Sequence, residues 1–292
     1  MPRLLLTGAS GFIGRACLAA LDGGPFEVHA VSRRRMEGPC AAWHACDLLD
    51  GGACEALVER LGPTHLLHLA WIAQPGAFWT SPSNLEWLEA GKRLVARFYA
   101  TGGLRAVGVG SCAEYAAGHE ACREDETPID PSTVYGKAKA AMCQALREAA
   151  GEREWAWARV FFPYGPGEPE GRFIPSAITG LLRGQSVDCT HGRQIRDFVY
   201  VEDVARALAT LAARGPSGPY NVGSGRGATL REVGALIEAE LGTPGLLRFG
   251  IRAAAPEEPA VLVASLDRIR DATGWSPGVG LAEGIRRTIA AR

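Results

Sequence analysis

Two side chains in the stretch TVYGKAKAAM, residues 133–142, have the types and the spacing for proton chemistry: Tyr135 and, four residues later, Lys139. Only three lysines occur in the whole chain, so abundance does not explain the pairing. On a helix, positions four apart share one face. A phenol titrates near about 10 in isolation, and an ammonium beside it stabilises phenolate and lowers that value. Held against a substrate oxygen, the pair can move a proton near neutral pH. Lys137 points to another face and reads as a solvated lysine. The segment PSTVYGKAKAAM begins like a capped helix, with Pro131 and Ser132 at its start.

A second chemical signature lies at the N-terminus. LLLTGASGFIGRA sets Gly8, Gly11 and Gly14, with Phe12 and Ile13 between them, where an apolar strand gives way to an amphipathic helix. Such a turn needs backbone without Cβ close to a diphosphate, and the helix start offers free N–H groups and partial positive charge. The next strand, VHAVS, ends at Ser32 and is followed by Arg33, Arg34 and Arg35 rather than by a carboxylate. A carboxylate there would bind the ribose 2′-hydroxyl and repel a 2′-phosphate. A hydroxyl with guanidinium groups suits the phosphate instead. The expected cofactor is therefore NADP(H), with NAD(H) still possible. Asp47 is placed to accept from the adenine amino group. Leu48 beside it, Leu69, Ala70 and Trp71 at the end of the fourth strand, and Pro163 after the sixth complete the expected cofactor contacts.

The elements that must position these groups follow from the hydrophobic pattern. Near-continuous apolar strands are expected at 3–8, 27–32, 43–47, 65–71, 105–111 and 156–162, with helices near 12–22, 52–61, 84–101 and 132–150. Fully apolar strands separated by helices indicate an α/β fold, a doubly wound parallel (Rossmann) sheet with both faces covered. Such sheets bind ligands beyond the carboxyl ends of their strands. After residue 162 the Pro/Gly run PYGPGEPEG breaks the alternation. Helices near 174–183, 203–213, 229–241, 266–273 and 281–291, with strands at 219–222 and 260–264, describe a smaller C-terminal substrate-binding lobe, mainly 163–292. The dinucleotide domain is expected over 1–162, with segments near 194–214 and 259–266 returning to it.

Composition narrows the class. The chain has 292 residues, 47% hydrophobic and 22% charged, with net charge −1, so nothing argues for nucleic acid or an anionic membrane as partner. No apolar run approaches the roughly 18–20 residues that span a bilayer, and no cleavage-type segment follows the first strand. Eight cysteines without a CxxC pair point to reduced thiols, a cytoplasmic location and no metal site. His68, on an apolar strand, reads as a core histidine.

TGASGFIG, HLLHLAW, GSCAEY, YGKAK, FFPYGPGE and RQIRDFVYVEDVA follow one another in the order and spacing of the extended short-chain dehydrogenase/reductases. From residue 3 to about 285 the chain resembles, more narrowly, their NAD-dependent epimerase/dehydratase family, which acts on nucleotide sugars. The resemblance implies a Ser–Tyr–Lys set. Aligning GSCAEY on Tyr115 makes Ser111 the hydroxyl that bonds the substrate oxygen, with Cys112 as the competing candidate. Tyr135 would exchange the proton, and Lys139 would hold the nicotinamide ribose. Arg196, in RQIRDF, would contact the nucleotide diphosphate, and Phe162, Cys112 and Arg172 are further substrate-binding candidates. Dehydratases of the family carry an acid pair where this chain has Cys112 and Ala113, with Glu114 one place on. Family epimerases often carry asparagine where Phe162 stands. The aromatic stretch AWIAQPGAFWTSPSNLEW, 70–87, replaces the usual loop, and Trp71, Phe78 and Trp79 could line the sugar pocket or simply cover the sheet edge. The expected activity is NADP(H)-dependent reduction of a keto group, at C4, on a nucleotide-linked deoxy- or keto-sugar. The alternatives are epimerisation with retained cofactor, dehydration, or reduction of a non-sugar carbonyl. A homodimer through the helices at 84–101 and 132–150 is expected from the same resemblance.

Overall fold

β1 (Arg3–Thr7) shows why the sheet must be covered twice: Leu4 and Leu6 enter one core and Leu5 the other, and all three are buried. A strand that alternates sides yet exposes neither needs helices on both faces. In the computed structural model, which describes residues 1–72, 76, 78–254 and 258–292, those helices are present. After β1 come α1 (Phe12–Leu21), β2 (Glu27–Ser32), β3 (Ala42–Ala45), α2 (Gly51–Leu61) and β4 (His65–His68). Then follow α3 (Ser83–Ala100), β5 (Arg105–Ser111), one 3₁₀ turn (Cys112–Glu114), α4 (Val134–Ala150) and β6 (Glu154–Val160). The rest is β7 (Phe162–Tyr164), α5 (Phe173–Leu182), β8 (Val187–Cys189), β9 (Ile195–Tyr200), α6 (Val201–Ala213) and β10 (Gly218–Val222). Last come β11 (Gly227–Thr229), α7 (Leu230–Leu241), β12 (Leu247–Phe249), β13 (Val261–Leu262), α8 (Asp267–Thr273) and α9 (Leu281–Ala290).

Seven strands form one parallel sheet in the order β3-β2-β1-β4-β5-β6-β10. α1 and α6 pack together on one face, and α2, α3 and α4 on the other, as a Rossmann sheet requires. Strand order reverses between β1 and β4, which opens a crevice at the sheet's carboxyl edge. A smaller four-stranded sheet gathers β7, β11 and β13 around β9, and β8 pairs with β12. α5, α7 and α9 close over this second unit in a core of their own. Among the described residues no helix is long and apolar enough to cross a membrane.

Three differences from the sequence-derived elements matter for the site. β4 ends at His68, not residue 71, so Leu69, Ala70 and Trp71 leave the sheet and face the crevice. β10 joins the large sheet beside β6 instead of belonging to the lobe. Conversely, β13 does not return to the large sheet; it pairs with β9 in the small one.

Asp197 of β9 knits these parts together. Fully buried, it accepts from Ser224 N and Oγ at 2.6 Å each, from Gly225 N at 3.0 Å and from Ala264 N at 3.1 Å. One carboxylate thereby joins the small sheet to the turn after β10 and to the strand end after β13. Asp197→Ala leaves these buried donors without an acceptor, so chemical denaturation should show a loss of about 3 kcal/mol or more. A loss below about 1 kcal/mol would show that water replaces the carboxylate.

Candidate functional site

A cavity of about 980 Å³ runs along the carboxyl ends of β1, β2, β4, β5 and β6 and reaches into the lobe at α5 and β9. At one end lies the glycine turn. Gly8 adopts φ +69°, and a Cβ on it would stand 2.7 Å from Ala70 N; a Cβ on Gly14 would stand 2.1 Å from Gly8 O. Only glycine lets the turn pack this closely against both the segment after β4 and α1. α1 begins after Gly11 with no side-chain cap and no acidic residue in its first turn. Its opening N–H groups and positive dipole end therefore remain for an anion. This cradle fits a dinucleotide diphosphate, with Phe12, Ile13 and Gly14 in its wall.

Farther along the same edge Ser32, Arg33, Leu48, Leu69, Ala70 and Trp71 line the cavity. Two expected contacts are not among the lining residues. Asp47 is exposed and accepts from Leu49 N at 3.1 Å while its neighbours Cys46 and Leu48 face inward. Arg34 also lies outside the lining, and its carbonyl accepts from Ser32 Oγ.

Ser111, Tyr135 and Lys139 meet at the centre. Ser111, at the end of β5, is buried and caps the 3₁₀ turn by accepting from Ala113 N at 3.2 Å. α4 starts at Val134, with Thr133, not Ser132, as its cap: Thr133 Oγ1 accepts from Gly136 N at 3.0 Å. Tyr135 and Lys139 follow on one face of the helix. Lys139 is buried, donates to Val109 O at 2.8 Å and holds its ammonium 3.9 Å above the Trp71 ring. Burial pushes Lys139 down to about 7, opposed by the charge of Glu114. Burial pushes the Tyr135 phenol up, opposed by a hydrogen bond with Ser111 and by the charge of Arg172. The expected lowering of the phenol by Lys139 is thus not what the structure shows. Desolvation dominates, and the charge that opposes it comes from Arg172 rather than from Lys139.

Cys112 lines the cavity yet packs into the core under the sheet, its thiol pushed up to about 12 by burial. Glu114 turns away, fully buried, to Arg159 Nε at 2.8 Å, Trp157 Nε1 at 3.0 Å and Ser111 N at 2.8 Å. Tyr115, bonded to Asn221 and Arg159, is structural. His68 is a core histidine, neutral and pushed down to about 3 by burial, with Nδ1 2.8 Å from Thr7 Oγ1.

On the lobe side Phe162, Pro163, Arg172 and Arg196 all line the cavity. Arg196 is buried, but its Nη2 donates to Glu258 at 2.7 Å and its Nη1 to Ile195 O at 2.9 Å, so little of its fork is free. Arg172 is more exposed and donates to Pro163 O at 3.4 Å. Phe78 and Trp79 pack edge-on against Tyr135, and Trp71 lies under Lys139; residues 73–75 and 77 of this segment lie outside the described residues.

Glu168 was not anticipated. It sits in the Pro/Gly loop after β7, is buried, lines the cavity, and its Oε2 has no hydrogen-bond partner. Arg172 Nη1 lies 3.8 Å from it. Its position in the loop that follows a strand's carboxyl end was the available signal.

Comparison with known proteins identifies relatives of the whole chain. The NAD-dependent epimerase/dehydratase family matches residues 4–223. A UDP-glucose 4-epimerase of Azospirillum brasilense is 30% identical over 98% of this chain and 90% of its own. A CDP-abequose synthase of Salmonella typhimurium is 34% identical, but the match spans 45% of this chain and 46% of that one. Among solved structures, MoeE5 in complex with UDP-glucuronic acid and NAD superposes with a TM-score of 0.87 at 27% identity, covering 99% of this chain and 98% of that one.

Burial pushes the Glu168 carboxyl up from 4.5 to about 8, opposed by the Arg172 charge. A carboxyl that holds its proton more tightly when folded contributes full stability at low pH and loses it as pH rises through the folded value. Glu168→Gln, which cannot ionise, should therefore gain stability relative to wild type between about pH 4.5 and 8. Unfolding midpoints that keep a constant difference across that window would contradict the assigned burial.

Proposed function

This chain belongs to the NAD-dependent epimerase/dehydratase family, and from that membership we propose that it reduces a keto group, at C4, of a deoxy- or keto-hexose carried on a nucleotide diphosphate. The observation that carries the reading is that Tyr135 and Lys139, on one face of α4, line the same cavity as Ser111. Ser111 and Tyr135 hold the keto oxygen, and Tyr135 gives it a proton as negative charge develops there. Lys139, held by Val109 O and the Trp71 ring, supplies positive charge beside the resulting phenolate. Bound nicotinamide supplies the hydride. The carboxylate nearest the hydroxyl, Glu114, is spent on Arg159 and Trp157, which argues against its serving as a dehydratase acid. Arg172, the freer of the two lobe arginines, is the favoured partner of the substrate diphosphate, with Arg196 held behind it by Glu258.

The family and the bound ligand of MoeE5 name NAD. The preference for NADP(H) is proposed from Ser32 and Arg33 on the cavity wall and from the absence of a carboxylate at the end of β2. A homodimer through α3 and α4 and a cytoplasmic setting belong to the same proposal; all eight cysteines are unpaired thiols, as a reducing compartment allows. Epimerisation with retained cofactor is the second reading, favoured by the nearly full-length similarity to a UDP-glucose 4-epimerase.

NADPH oxidation against a panel of nucleotide-linked 4-keto sugars separates the two. Stoichiometric loss of NADPH with a 4-keto sugar supports reduction, and interconversion of the C4 epimers of a nucleotide-linked 4-hydroxy sugar without loss of NADPH supports epimerisation. Tyr135→Phe should lower turnover by about 100-fold or more while cofactor affinity stays within a few-fold; an active variant would remove the proton-transfer role. Replacing Arg33 and Arg34 together by alanine should weaken NADPH binding much more than NADH binding. Equal losses would refute the 2′-phosphate assignment.

A further inference from the structure

Behind the reacting pair, one side chain outside every motif holds two separate supports. Asn84, in the first turn of α3, is fully buried. Its Oδ1 accepts from the Trp71 indole N–H at 2.8 Å, and its Nδ2 donates to the carbonyls of Phe78 at 2.7 Å and Ser81 at 2.9 Å. Both donors of the amide are thus committed, together with its oxygen. Each arm ends on Tyr135 or Lys139. Through the first, the Trp71 ring lies 3.9 Å beneath Lys139 Nζ. Through the second, the carbonyl of Trp79 accepts from Tyr135 N at 3.1 Å, and the Phe78 and Trp79 rings meet Tyr135 edge-on with centroids 4.9 and 5.6 Å away.

We infer that Asn84 is a positioning residue for the Tyr135–Lys139 pair, fixing the ammonium through Trp71 and the phenol through the turn at 78–81. A lysine held in one pose gives up the freedom of a long, flexible stem. An indole face in a desolvated site attracts the cation strongly enough to hold it there. The indole is itself locked, because its buried N–H has Asn84 as partner and would otherwise go unsatisfied. An aspartate could accept from Trp71 but could not donate to two carbonyls, and a serine would not reach all three groups. The inference rests on Tyr135 and Lys139 being the reacting pair of the proposed reduction, but the placement of Lys139 can be read without any substrate.

Because the chain has only three lysines, protein labelled with ¹³C-lysine gives few side-chain signals, and Lys139→Arg identifies the one that matters. In wild type, ring current from Trp71 should displace the Lys139 methylene signals upfield of those of Lys92 and Lys137. Asn84→Ala and Trp71→Leu should each abolish the displacement, and Trp71→Phe, with a ring but no N–H for Asn84, should reduce it. In the 4-keto-sugar assay, kcat of Asn84→Ala should fall by about ten- to a hundredfold with KM for NADPH little changed. A wild-type Lys139 signal in folded Asn84→Ala, or an unchanged kcat, overturns the inference. Should Asn84→Ala fail to fold, an unchanged signal and kcat in Trp71→Phe overturn it equally. A protein in which these variants move the Lys139 signal but which reduces no sugar of the panel upholds the placement and refutes the proposed reaction instead.

Discussion

Removing Lys139 from water, and Tyr135 in part, penalises the charged form of each, and the rest of the site is arranged around that penalty. The phenol is pushed up and the ammonium down to about 7, so both resting groups lean toward neutrality. A phenol that keeps its proton starts as a donor, which suits protonation of an oxygen gaining charge. The supports are directional. Val109 O on β5 and the Trp71 ring hold the ammonium, the Phe78 and Trp79 rings pack against the phenol, and Glu114 stays behind the strand with Arg159. Were Glu114 to face the cavity, a second acid would compete for the substrate oxygen.

The sheet supplies the rigidity such an arrangement needs. β1, β4 and β5 are buried on both faces, so their carboxyl ends are fixed by two cores at once. The glycine turn and the uncapped start of α1 then form an anion cradle at one end of the cavity, while Arg172 and Arg196 bring positive charge, and Glu168 a buried carboxyl, to the other. Arg15, reaching from α1 to Ser10 O at 3.0 Å and Gly167 O at 3.4 Å, links the cofactor turn directly to the loop that carries Glu168. Cofactor and substrate sides therefore share a structural strut.

Local patterns in the chain carried much of this. Apolar runs spaced by amphipathic helices located the six strands of the first half to within a few residues, because double burial removes polar positions from such strands. The glycine trio and the tyrosine–lysine spacing were readable for the same reason: each is a short-range device. What escaped depended on distant partners. β8 and β12 are three residues each and exist by pairing across a gap that contains β9, α6 and α7. Glu258, which occupies Arg196, is 62 residues away from it in sequence. Asn84 looked like one polar residue in an aromatic loop, and Glu168 like part of a Pro/Gly connector. The cap of α4 moved from Ser132 to Thr133 because either hydroxyl can serve and only the backbone angle decides.

The most direct test is the structure of the protein crystallised with NADPH and a nucleoside diphosphate. The Tyr135 hydroxyl and the Lys139 ammonium should both face the nicotinamide ring and its ribose, with Ser111 completing the oxygen site. Either side chain directed away from that ring would contradict the central claim that this pair performs the chemistry.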